Sequence, residues 1–263
     1  MACRRTFSDF TGTPLAHLKR IECWPEFCDC VLSCLTVRAT GRRLGVDKDT
    51  AFRWRHRVLE SLDGDDASDL AFSVTLEETW FPHSEKGSRS LDRPPRRRAA
   101  LHRCEMRPAW VVVALDDTSR PATGVVGEVR PRAADLAALL SPRLTRSREI
   151  VSTSGYYGAP ARLATLVGLP HRRVMSPAPE VRAARRYIIA LHRWIARFRG
   201  VATRYLGNYL AWHRFLTVAA LPSALGVITR VAVPRESLGR PAWSLSPAAS
   251  VRARRRLLVA RFL

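Results

Sequence analysis

Apolar positions between residues 14 and 62 recur at helical spacing, with breaks. Residues 24 to 35 predict one helix. Residues 36 to 44 predict a second, with Val37, Ala39 and Leu44 set among Arg38, Arg42 and Arg43. Gly45 interrupts, Asp47 offers an N-cap, and residues 48 to 62 resume a helical period. Helix, glycine-containing turn, helix is the helix-turn-helix pattern. In its second helix Ala51, Trp54 and Val58 share the inward stripe, which turns Thr50, Arg53 and Arg57 outward, where a major groove could be read.

After an acidic, small-residue stretch (Asp63-Gly64-Asp65-Asp66-Ala67-Ser68-Asp69) with the composition of a domain linker, the period changes. Residues 72 to 81 predict a strand. The unbroken apolar run 110 to 115 predicts a strand buried on both faces. Residues 125 to 129 are expected to pair beside it, 149 to 152 to form another strand and 171 to 175 a brief one. Helices are expected over 133 to 140, 159 to 167 and 181 to 199. Strands followed by helices indicate an α/β layer on a mixed sheet. Between the first two strands, residues 84 to 103 are basic and centred on Arg93-Pro94-Pro95-Arg96-Arg97-Arg98, an exposed loop able to lie along a phosphate backbone. From about residue 217 this rhythm is lost, and residues 216 to 263 read as a basic, proline-punctuated tail, either disordered or a small appendage.

Charge changes the picture most. Lys+Arg 44 against Asp+Glu 23 gives a formal +21 over 263 residues, and arginine dominates the cations. A GC-rich coding sequence favours arginine over lysine but leaves the excess over acids unexplained. A polyanion is the expected partner, because neutralised phosphates release condensed counterions and the guanidinium fork matches phosphate oxygens. No stretch is apolar enough to span a bilayer, no basic amphipathic helix has a clean apolar face, and no apolar run follows Met1, so a cytoplasmic, nucleoid-associated protein is expected. Six cysteines contain no CxxC pair, and Cys28, Cys30 and Cys34 fall in an apolar stretch where they pack as small hydrophobes.

Several segments carry a resemblance. Residues 197 to 212, Arg-Phe-Arg-Gly-Val-Ala-Thr-Arg-Tyr-Leu-Gly-Asn-Tyr-Leu-Ala-Trp, resemble the C-terminal signature of the insertion-sequence transposases often called ISXO-two-like. In the same order, Thr6-Phe7 with Thr11-Gly12-Thr13-Pro14-Leu15 resembles the segment after that family's zinc ribbon. Leu44-Gly45-Val46 with residues 50 to 57 resembles its helix-turn-helix. Glu77-Glu78-Thr79-Trp80-Phe81 with Lys86-Gly87-Ser88-Arg89 resembles its first catalytic strand and loop. The similarity runs from about residue 3 to about residue 215.

The resemblance implies a remnant of a zinc ribbon over 1–13, a helix-turn-helix region over 14–62, a linker over 63–71 and a ribonuclease-H-like catalytic domain over 72–215. In the last, carboxylates hold two Mg²⁺ ions for in-line displacement at phosphorus. It implies double-stranded transposon-end DNA as partner and action as a homo-oligomer. Lys48, Thr50, Arg53, Arg55, Arg57, Lys86, Arg89, Arg96, Arg97 and Arg98 are the expected DNA contacts. The positions matching the family's catalytic residues are Glu77, Ser154, Arg185 and His192. Glu77 replaces an aspartate, Ser154 a second aspartate, Arg185 an asparagine or glutamate, and His192 a lysine. Only Glu77 keeps a metal-binding carboxylate. Cys3 matches the last of four zinc cysteines, whose partners would precede Met1, so no zinc is expected. Three functions follow from this pattern: a non-catalytic DNA-binding protein, an active metal-dependent transposase, or the product of a decaying element.

Overall fold

A computed structural model describes residues 13, 15, 19–63, 69–88, 107–153, 158–175, 178–218 and 227. The chain divides into two compact units, residues 1–66 with 215–263, and residues 67–214.

In the first unit, α1 (Trp24–Leu32), α2 (Val37–Leu44) and α3 (Lys48–Asp63) form the helical part. The first helix stops three residues earlier than its apolar pattern predicts, because Cys34 takes a left-handed conformation. Thr36 then caps α2, its hydroxyl accepting from the Ala39 amide at 3.2 Å. Gly45 ends α2 at φ 60°, a conformation glycine adopts without steric cost. Gly41 allows the next turn to close on α2: a Cβ there would stand 2.8 Å from the Val46 carbonyl oxygen. Asp47 accepts from the Asp49 amide at 2.7 Å. Trp24, Phe27 and Trp54 pack as an aromatic trio, with ring centroids 5.2 to 5.7 Å apart. Cys28 and Cys30 are buried, and burial pushes the Cys28 thiol up to about 12.

The second unit is a five-stranded sheet ordered β3-β2-β1-β4-β5, made of β1 (Ala71–Pro82), β2 (Pro108–Asp116), β3 (Pro121–Gly127), β4 (Arg146–Ser152) and β5 (His171–Arg173). The first three strands are antiparallel neighbours, and β4 and β5 run parallel to β1. This order and these directions are those of a ribonuclease-H-like mixed sheet. Strand β3 begins four residues before the expected 125, because Asp116 organises a tight return: its carboxylate accepts from Thr118 and Arg120 amides at 2.9 Å each. Its end at Gly127 leaves Val129 exposed.

Alternation in β1 sorts its side chains onto two faces. Val74 and Leu76, with Val112, Ala114 and Ile150, pack against Leu136 and Leu140 of α4 (Ala133–Leu140) and Leu163 of α5 (Ala159–Val167). Thr75, Glu77, Thr79 and Phe81 lie on the opposite face, with α6 (Pro179–Ala196). The helix α7 (Leu206–Val218) joins there through Arg214, which donates to the Thr123 carbonyl at 3.0 Å and its hydroxyl at 2.5 Å. Trp194, Phe198, Tyr209, Trp212 and His213 form an aromatic cluster joining α6 to α7.

Within that cluster His213 is buried 3.1 Å from the Tyr187 hydroxyl. Burial first, then the charges of Arg214 and Arg197, push its imidazole down to about 4. The unfolded chain therefore binds a proton that the native state refuses between pH 6.5 and 4. The stability is fully present above about pH 6.5 and is lost as pH falls toward 4, by about 3 kcal/mol from this group. His171 and His192, also held below the ordinary histidine range by burial, act in the same direction. Urea unfolding at pH 7, 5.5 and 4 is expected to show this decline, and His213→Gln to flatten it; equal slopes in both proteins would refute the assignment.

Candidate functional site

On the α6 face of the sheet, Glu77 accepts a hydrogen bond from the Thr153 hydroxyl at 2.6 Å. Two residues along β1, Thr79 lies 2.7 Å from His192 Nε2, and the His192 ring stacks on Phe81 with centroids 4.3 Å apart. Parallel pairing of β4 to β1 sets Ser152 beside Leu76, so the chain leaving β4 passes Glu77 through Thr153. Two of the four positions expected at the catalytic centre, Glu77 and His192, thus lie on one face. Arg185 is seven residues before His192 on α6, close to the same stripe, and is exposed. Ser154 lies outside the described residues.

Glu78 points to the other face, where Arg130 Nε donates to it at 2.6 Å and the guanidinium lies over the Trp110 ring at 5.5 Å. It offers no second carboxylate beside Glu77. Asp116 is occupied elsewhere, accepting from the Ala71 amide at 3.1 Å as well as organising the β2–β3 turn, and Asp117 accepts from the Ser73 amide at 3.3 Å. A further carboxylate pair, Glu149 and Glu180, clamps Arg172 at 3.0 Å each. The Arg172 hydrogen bond, then that from Ser73, holds Glu149 below the usual carboxylate range. That clamp ties β4, β5 and α6 together. Among the described residues no group of three or more His, Cys, Asp and Glu side chains is arranged to share a metal ion. The partnership of Thr79 and Thr153 with the site escaped the sequence reading. Alternation does place Thr79 on the Glu77 face, but nothing local marks Thr153 as its neighbour across 76 residues.

The second cluster of expected functional residues lies on α3. Ala51, Trp54 and Val58 are buried, Lys48 and Arg53 are exposed, and Thr50 and Arg57 are half-exposed. Among the described residues expected to contact DNA, Arg55 is the exception. It is 2% exposed and donates to the Leu35 carbonyl at 2.5 Å and the Thr40 hydroxyl at 3.4 Å, holding the α1–α2 connection against α3. The helical period accounts for the correction: Arg55 falls one position after Trp54 and four after Ala51, on the inward side. Arg55→Ala is therefore expected to lower the stability of the folded chain by about 1.5–3 kcal/mol, the worth of charge-assisted hydrogen bonds. Arg53→Ala should leave it within about 0.5 kcal/mol. Denaturant midpoints compare the two; equal effects would contradict the burial.

Lys86 is exposed and its ammonium donates to the carbonyls of Arg199 and Gly200 at 3.5 and 3.0 Å. Arg89, Arg96, Arg97 and Arg98 lie outside the described residues, as do Cys3, the Thr6-Phe7 segment and nearly all of the tail. No described helix is long and apolar enough to cross a membrane.

No protein-family model and no curated protein matches the chain. Among solved structures, similarity extends to a chain of the simian T-cell lymphotropic virus intasome in complex with PP2A regulatory subunit B56 gamma. There the identity is 11%, the TM-score 0.38, and the match covers 74% of this chain and 70% of the other. It extends also to a chain of a pre-cleavage Mos1 transpososome, at 11% identity and TM-score 0.28, covering 78% of each. Both superpositions are loose, and the assignment of the sheet rests on its strand order and directions.

Proposed function

We propose that the chain is a transposase-family protein that binds the double-stranded ends of an insertion sequence, as a homo-oligomer, without cutting them. The observation that carries the binding half is α3, whose buried stripe leaves Lys48, Thr50, Arg53 and Arg57 on its outward side, the side a major groove would meet. As a base-reading residue, Arg53 is expected to cost about 1–3 kcal/mol of binding when changed to alanine, with sequence preference relaxed.

The catalytic half rests on the chemistry of the Glu77 face. A pair of Mg²⁺ ions demands near-octahedral oxygen coordination with carboxylates bridging to the phosphate. The described residues present one carboxylate there, already hydrogen-bonded by Thr153, with an imidazole engaged by Thr79. On the sequence match Ser154 stands where the family has an aspartate, and Arg185 where it has an asparagine or glutamate, so neither position offers a carboxylate. This set does not fit two divalent cations, and no reaction step is assigned to it.

The test is strand cleavage and strand transfer on transposon-end duplexes with Mg²⁺ and with Mn²⁺. The unmodified chain is compared with the double variant Glu77→Asp, Ser154→Asp. Retained end-binding with no cleavage by the unmodified chain is expected. Cleavage would overturn the defective-site reading in favour of an active transposase, and absence of binding would leave the product of a decaying element.

A further inference from the structure

Between Glu180 and Glu236 the chain holds no acidic residue and ten arginines. On α6, Arg182, Arg186 and Arg193 recur at intervals of four and seven residues, with Ile189 between them and Arg197 four residues beyond. All four arginines are exposed. At 1.5 Å per residue this stripe runs for about 22 Å along the outer side of the helix. Past its C-terminus the chain turns through Arg199 and Gly200, both at positive φ, and their carbonyls receive the Lys86 ammonium. The β1 loop is stapled there a second time, by Thr203 N to the Ser84 carbonyl and Ser84 N to the Thr203 hydroxyl, each 2.8 Å. The Arg204 guanidinium lies over Gly87, 3.7 Å from where a Cβ would be, and against the Tyr205 ring.

We infer that the outer stripe of α6 and the Lys86–Arg204 knot beyond it form one continuous surface that holds the phosphate backbone of duplex DNA. The inference rests on the proposed DNA-binding reading and adds to it a contact surface on the sheet unit.

The N-terminal part of the stripe is unfavourable on its own. Arginines four apart on a helix repel, each such pair opposing the helix rather than supporting it. Arg182 also sits in the first turn, where the helix macrodipole disfavours cations, and Glu180 is the one acid there. Glu180 is itself occupied by Arg172. A polyanion removes both penalties together, and a guanidinium pairs with phosphate through two parallel hydrogen bonds. A merely solvated face would carry mixed signs, as Arg43 with Glu26 does in the helical unit. Among the described residues of the loop that carries Lys86, 83–88, Glu85 is the single carboxylate.

The experiment measures binding of the full chain to a transposon-end duplex and to an unrelated duplex across a salt series. It uses Arg182→Gln with Arg186→Gln, and separately Arg204→Gln, beside Arg53→Ala. Each removed phosphate contact should lower the slope of log affinity against log salt by about one. Each should also weaken binding on the order of tenfold at 0.1 M salt, equally on both duplexes. Thermal stability of the Arg182, Arg186 variant at low salt should be unchanged or higher. Unchanged slopes in both ridge variants, with Arg53→Ala still altering sequence preference, would overturn the ridge and leave the helix-turn-helix reading standing. A wild-type chain that binds neither duplex would overturn both.

Discussion

Affinity for duplex DNA is expected to fall about 10³–10⁵-fold between 50 and 200 mM salt, the response of a protein that neutralises roughly six to ten phosphates. With a formal charge of +21, counterion release is expected to be the largest contribution to binding. Lys48, Arg53 and Arg57 flank the outward side of α3, while Arg182, Arg186, Arg193 and Arg197 line α6. Phosphate contacts position a protein without reading sequence, so most of this salt dependence should be shared by end-bearing and unrelated DNA. The difference between the two should come from the few groups able to reach base edges, Arg53 first. Fluorescence anisotropy over a salt series reads both quantities. A response shallower than about tenfold over that interval would mean that few of these cations meet phosphate, and the polyanion reading would fall.

Trp212→Ala is expected to cost about 3–5 kcal/mol, a large share of the roughly 5–15 kcal/mol that separates folded from unfolded states. Its side chain is fully buried, with Trp194, Phe198 and Tyr209 at ring-centroid distances of 5.1, 5.4 and 5.8 Å. Truncation removes the transfer energy of an indole and leaves a cavity that these large neighbouring rings cannot collapse to fill. Trp212→Phe keeps part of the contact and should cost less. Urea unfolding followed by tryptophan fluorescence gives the comparison, and a loss below about 1 kcal/mol from the alanine change would contradict the packing. The segment 197 to 212, which carries the strongest resemblance to a transposase signature, therefore serves in this chain to lock α6 onto α7 and to dock the Lys86 loop through Thr203.

The elements were legible where pattern and burial agree. The run of valines in β2 is buried on both faces as a central strand must be, and the α3 stripe of Ala51, Trp54 and Val58 faces inward as its spacing requires. Boundaries moved where a single backbone or side-chain event decides them. Cys34 at positive φ shortens α1, and the Asp116 carboxylate starts β3 early. At Arg55 phase outweighs charge: one position from Trp54, it turns inward and finds oxygen acceptors there.

For the candidate site, alternation along β1 is enough to separate Glu77 from Glu78, since neighbouring strand residues face opposite ways. The sequence by itself thus determined the helical and strand elements, the opposed faces of β1, the excess of cations and the scarcity of carboxylates at the matched positions. These depend on local period and residue chemistry. Which side chains meet was decided by tertiary structure alone. Thr153 reaches Glu77 because β4 pairs parallel to β1, His192 reaches Thr79 because α6 crosses that face, and the Lys86 loop meets Arg199 because the end of β1 and the end of α6 coincide. Contacts across 76 and 113 residues depend on strand order and helix packing, which no local pattern encodes.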